Sequence, residues 1–136
     1  MRFAFEGARL ERGEARWSYD LLLGVIATFE VRVGDRLLYR EEMFPIVELC
    51  VALRQWRRDS LPRRQAFVFQ SLESDEAGLV WIRPDDGGWR VGSIHQEYPE
   101  LRRWSDDEIG RSLNDFVRSV DDWLSENTGS SVDDLR

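Results

Sequence analysis

The chain has 136 residues, of which 42% are hydrophobic and 33% charged, and its formal net charge is −7. That length predicts a single domain that buries roughly two-thirds of its unfolded surface without staples. The apolar runs are too short for a transmembrane helix, which needs about 20 apolar residues, and an acidic chain with no basic stripe argues against nucleic acid as the main partner.

All 19 basic residues are arginine, the signature of a GC-rich coding sequence. The N-terminal stretch Met1-Arg2-Phe3-Ala4-Phe5-Glu6 carries no apolar region followed by a cleavage site, so no signal peptide is expected. The single cysteine, Cys50, cannot form an internal disulfide, which fits a reducing, cytoplasmic setting.

Residues 3–10 read as a strand, with Phe3 and Phe5 on one face, and Glu11 to Arg16 as a charged loop. From Tyr19 to Val33 every odd position is apolar or aromatic, which predicts one long strand with a buried face. Val33-Gly34-Asp35-Arg36-Leu37 is a hairpin turn. A three-residue loop is expected there, because it places Leu37, Tyr39 and Met43 on the apolar face, and one residue of slip would reverse every side chain.

Phe44-Pro45 opens a helix to about Arg58, with Ile46, Leu49, Cys50, Leu53 and Trp56 as its main stripe. Leu61-Pro62 ends it. Strands follow over Gln65–Leu72, Leu79–Arg83 and Trp89–Gln96, separated by an acidic loop at residues 73–78 and a turn at residues 84–88. Ser105 and Glu108 have capping-box spacing before a last helix striped by Ile109, Leu113, Phe116, Val120 and Leu124. The expected fold is α+β: a curved antiparallel sheet of about six strands in the order βββα-βββα, with two helices packed on it. Residues 1–126 form the domain, and 127–136 read as a disordered acidic tail.

Few residues carry a chemical signal. His95 is the only histidine and lacks the partners that a zinc site or a Cys/His pair needs. Cys50 lies on an apolar stripe and reads as a small core hydrophobe. The acidic groups at residues 73–76 and 85–86 lack calcium-loop spacing and read as turn residues. No phosphate loop, nucleophile elbow or dinucleotide fingerprint occurs, so no catalytic residue, metal or cofactor is expected. Of the six tryptophans, Trp56 and Trp81 read as core; Trp17, Trp89, Trp104 and Trp123 lie near element ends and read singly as lids on the core, with Trp104 and Trp89, each beside arginine, the best candidates for exposed anchors.

Two segments carry a resemblance. Phe44-Pro45-Ile46-Val47-Glu48-Leu49 leads to Leu53 and Trp56, and Gly87-Gly88-Trp89-Arg90-Val91-Gly92-Ser93-Ile94-His95-Gln96 precedes a capped helix with Phe116-Val117. Together they resemble a group of small uncharacterised proteins from high-GC bacteria, which look like the acidic immunity proteins encoded beside polymorphic toxins. The resemblance implies a non-catalytic domain that masks a basic toxin or effector by steric and electrostatic occlusion. The acidic residues Asp75, Glu76, Asp106, Asp107 and Asp122, with Trp104, are the candidate partner-binding residues. The alternative is a small-molecule binder or enzyme on the concave face of the sheet, using His95, Tyr19, Tyr39 and Arg90. A homodimer through a sheet edge or a tryptophan patch is a third expectation.

Overall fold

The computed structural model describes residues 1–11 and 18–135; the expected loop at Glu11 to Arg16 and the side chains of Trp17 and Tyr19 lie almost wholly outside them. The elements are β1 (Arg2–Leu10), α1 (Ser18–Gly24), β2 (Val25–Val33), β3 (Arg36–Phe44), α2 (Ile46–Asp59), β4 (Phe67–Val68), β5 (Trp81–Asp85), β6 (Gly88–Gly92) and α3 (Asp106–Thr128). The α+β class and the antiparallel pairing are as expected, but the single curved sheet is not. Two three-stranded antiparallel sheets form instead, in the orders β1-β2-β3 and β4-β5-β6.

The long strand expected over residues 19–33 is corrected to a helix followed by a strand. Its first part is Leu21-Leu22-Leu23, a run of good helix formers. β-Branched residues begin only at Val25. Gly24 marks the change: its carbonyl accepts from the Glu11 N–H at 2.8 Å, and a Cβ there would meet Leu10 at 3.2 Å.

The hairpin register is also corrected. Val33 faces Arg36, so the loop is the two-residue Gly34-Asp35, with Gly34 at φ +59° in its first position. Strict alternation holds only along an unbroken strand, and β3 is interrupted. Arg32 faces Leu37 while Val31 faces Tyr39, so Leu38 is an inserted residue that resets the parity and returns Tyr39 to the core face. A second irregularity follows where Phe29 faces Glu41 and Ala27 faces Phe44. There Met43 takes φ +55° and stands 60% exposed, while Phe44 turns inward and stacks on Phe29 with centroids 4.6 Å apart.

One core serves both sheets. Phe116 of α3 meets Phe3, Phe3 meets Phe29, Phe44 meets Phe69, and Phe69 stacks on Phe67. Trp56 of α2 then joins Phe67 to Trp89, whose ring it meets edge-on at 5.4 Å. Helix α2 is buried along most of its first two turns, as its wide apolar stripe predicts. At the start of α3 the capping box is formed: Ser105 accepts from the Glu108 N–H, and the Glu108 carboxylate accepts from the Ser105 N–H.

The segment expected to be a disordered tail is placed against this core. α3 runs to Thr128, Gly129 closes it at φ +72°, and a 3-10 turn spans Val132–Asp134. Val132 and Leu135 are buried, and the Val132 N–H donates to Asp121 at 2.7 Å. Two apolar residues three apart suffice to fasten a short, otherwise acidic segment, a signal that composition alone hides.

Cys50 is fully buried, and burial pushes its thiol up to about 12. Thiol labelling of the native chain is therefore expected to be slow, with rapid reaction only after unfolding. A group whose folded pKa is raised stabilises fully below its unfolded value, so this contribution is lost as pH rises from about 9 towards 12. Denaturant titrations at pH 8 and pH 11 check this: the stability lost between them is expected to shrink in Cys50→Ala.

Candidate functional site

The end of β3, the loop between β4 and β5, and the end of α1 enclose a pocket of about 200 Å³. Leu23, Ile26, Phe44, Pro45 and Leu79 form its apolar floor and walls. Glu41, Glu73 and Glu76 stand around it with Ser71 and Ser74, and the exposed Met43 flanks it. Among the described residues, no arginine lines it.

Each carboxylate is placed by a local cause. The irregularity at Met43 ends the regular β2–β3 ladder just after Glu41. Glu41 then accepts a hydrogen bond from the Tyr39 hydroxyl. Burial, reinforced by that bond, pushes the Tyr39 hydroxyl well above the usual phenol range. Glu73 and Glu76 sit on a loop folded by its serines: the Ser71 hydroxyl accepts from the Glu73 N–H, and the Ser74 hydroxyl from the Glu76 N–H. Glu76 is also 2.5 Å from Nε2 of His95.

Glu48 fastens this loop to the body. It lies in the first turn of α2, is only 7% exposed, and accepts from the Ser71 hydroxyl at 2.5 Å and from the Leu72 N–H at 2.8 Å. The first turn of a helix also favours a negative charge. Glu48 has a sequence signal of its own: an acidic residue between Val47 and Leu49, on the apolar first turns of the helix, implies a buried partner. Glu41 has none, because its placement depends on the irregularity of β3.

The sequence-predicted site residues do not form one patch. Asp75 and Glu76 share the pocket loop, and both are exposed. Asp106 and Asp107 stand at the start of α3, and Asp122 is sixteen residues further on, about 24 Å along the helix. Asp106 has a structural role, because it accepts from Trp89 Nε1 at 2.6 Å and lies 3.5 Å from Arg64, whose guanidinium sits over the Trp89 ring.

Trp104 is corrected from exposed anchor to core residue. It is 4% exposed, and its backbone exchanges two 2.8 Å hydrogen bonds with Trp89, which is itself fully buried. Each indole is covered by a guanidinium, Arg102 over Trp104 and Arg64, distant in sequence, over Trp89, so neither is an open surface.

The residues of the alternative reading also separate. Tyr39 is core, with only its hydroxyl turned to Glu41, and Arg90 donates to the Glu100 carbonyl at 3.0 Å. His95 is exposed and reaches the pocket only through Glu76. Among the described residues, no group of three or more His, Cys, Asp or Glu side chains is arranged to hold a metal ion. No described helix is long and apolar enough to cross a membrane.

Fold and site together define a two-sheet α+β domain with an apolar-floored, carboxylate-rimmed pocket. The chain belongs to the family described as Domain of unknown function (DUF7878), which it matches over residues 1–126. No curated protein and no solved structure matches it.

Proposed function

We propose that this chain is a non-catalytic protein-binding domain, an immunity-type inhibitor that masks a basic toxin or effector domain in the cytoplasm. The observation that supports the reading is the pocket: an apolar floor beneath Glu41, Glu73 and Glu76. An arginine or lysine from a partner is amphipathic, with an apolar stem and a charged head. The stem would lie on Phe44 and Leu79, and the head would meet the carboxylates, where charge-assisted hydrogen bonds are strongest. Asp75, beside the rim, would add to the attraction, and Met43 and Leu72 are exposed apolar contacts next to it. Net charge of the same sign would speed the encounter. Asp106, Asp107 and Asp122 then contribute only to the general field.

Reversing the rim tests this. Glu73→Arg with Glu76→Arg is expected to weaken binding of a basic partner domain by roughly 100-fold, while Asp122→Arg changes it by less than about 3-fold. Equal loss from both variants, or loss from neither, contradicts the assignment. The partner for the titration is a basic protein retained by this chain from its native host.

One observation favours the alternative of a small-molecule binder: the Tyr39–Glu41 and Glu76–His95 pairs lie at the same pocket. A cationic metabolite that raises Tm in the native chain but not in the Glu73/Glu76 variant, with no protein partner captured, would select that reading.

A further inference from the structure

Among the described strands, β1 is an edge strand, hydrogen-bonded to β2 alone. Its first part, Arg2-Phe3-Ala4-Phe5-Glu6, pairs regularly with β2, and the register then shifts after Glu6, where Gly7 takes φ +64°. The five residues before that shift have a charge pattern that reads as its own complement. Turned antiparallel about Ala4, Arg2 of one copy meets Glu6 of the other, Phe3 meets Phe5, and Ala4 meets Ala4.

Within one copy the ends of this segment are poorly matched. Arg2 stands directly across from Arg32, and like charges directly opposite on a sheet repel. The nearby carboxylate, Glu30, is already engaged by Arg32 at 2.7 Å and by Arg40 at 3.7 Å. Among the described residues Arg2 has no ion-pair partner. Glu6 is 68% exposed and, among the described residues, reaches only Arg40, at 3.9 Å.

We propose that this edge pairs with the same edge of a second copy, joining two β1-β2-β3 sheets into one six-stranded sheet across a two-fold axis at Ala4. The pairing is isologous, as most homodimer contacts are, so both Arg2–Glu6 pairs form at once. Each Arg2 gains the carboxylate that it lacks, on the side away from Arg32. Phe3 and Phe5 fall on the opposite, core-facing side of the strand, where both rings meet Phe116 of α3 edge-on. The two α3 helices would then lie on the same face of the joined sheet. Ser112, which donates to the Met1 carbonyl, and Ser119, two turns on along the same flank, present small side chains where the partner's helix approaches. The segment after Gly7 departs from flat pairing, which limits the edge to one short contact and discourages open-ended association.

Charge exchange tests the pairing with the full chain, by sedimentation at several concentrations. The native chain is expected to dimerise. Arg2→Glu and Glu6→Arg are each expected to raise the dimer dissociation constant by at least about 10-fold, since like charges then face each other twice. Mixing the two variants is expected to restore a dimer. In the mixed pair the new carboxylate at position 2 of one copy meets the new guanidinium at position 6 of the other, and the unchanged Glu6 meets the unchanged Arg2. Restoration on mixing also shows that both variants fold. A native chain that stays monomeric at about 100 μM, single variants that dimerise as the native chain does, or a mixture that stays monomeric would each overturn the proposal.

Discussion

Glu48→Ala is expected to destabilise the fold by about 3 kcal/mol, lowering Tm by roughly 10 °C. The Glu48 carboxylate accepts from the Ser71 hydroxyl and the Leu72 N–H in a place almost closed to solvent. A hydrogen bond to a charged group is worth about 1.5–3 kcal/mol, and the donors left behind add their own desolvation cost. Glu48→Gln keeps one acceptor and nearly the same volume, so about 1 kcal/mol is expected. The two variants thus separate loss of the charge from loss of the clamp. Urea unfolding followed by tryptophan fluorescence measures both. The effect reaches the candidate site, because Ser71 is also the residue around which the Glu73 turn folds. Susceptibility to proteolysis at residues 72–77 is therefore expected to rise in Glu48→Ala before global unfolding. A loss below about 0.5 kcal/mol would mean that the loop is held by other contacts.

Trp89→Ala is expected to cost about 4 kcal/mol. Trp89 is fully buried, contacts Trp56 at 5.4 Å, and exchanges backbone bonds with Trp104. Through Nε1 it also ties β6 to Asp106 at the start of α3. Trp89→Phe retains much of the packing and removes that bond, so about 1–2 kcal/mol is expected. Asp106→Ala should cost a similar amount. Because both changes remove the same bond, the double variant Trp89→Phe/Asp106→Ala should cost less than the sum by about 1 kcal/mol. Strict additivity would show that the indole–carboxylate bond contributes nothing. An exposed-anchor role for Trp89 would instead predict a near-neutral Trp89→Ala, so this series also separates the packing account from the surface account.

The legible parts of the fold were those with a strong local signal. The two long helices could be read from the stripes at Ile46–Trp56 and Ile109–Leu124 and from the Ser105–Glu108 box, because caps and helical period are written in nearby residues. The Asp86-Gly87 turn was legible too, and both residues take positive φ there. What escaped depends on events that a period cannot reveal. Leu21 and Leu23 alternate as a strand would, yet leucine serves a short helix equally well, and only the appearance of β-branched residues at Val25 marks the boundary. The inserted Leu38 and the turned-out Met43 change strand parity without changing composition. Splitting six strands into two sheets depends on long-range pairing, which no local pattern encodes.

The candidate site was legible only as a loop of acids. Asp75 and Glu76 could be named from the bunching of charge at residues 73–76. Glu41 could not, because the break in the β2–β3 ladder beside it sets its position. The tryptophans failed in the opposite direction. Arginine beside Trp89 and Trp104 suggested a contact surface, but Arg102 covers the Trp104 indole, Arg64, distant in sequence, covers that of Trp89, and Arg90 turns to the Glu100 carbonyl.

The carboxylate-rimmed pocket as a seat for a basic protein partner is the central claim, and a titration of the purified partner tests it most directly. The partner is to be the protein retained by this chain from its native host, expressed separately and titrated with the native chain, with Glu73→Arg/Glu76→Arg and with Asp122→Arg at low and high salt. The expected result is a basic domain whose affinity falls by roughly 100-fold on rim reversal and also falls with salt, while Asp122→Arg binds as the native chain does. A partner that binds the native and rim-reversed chains equally would contradict the account.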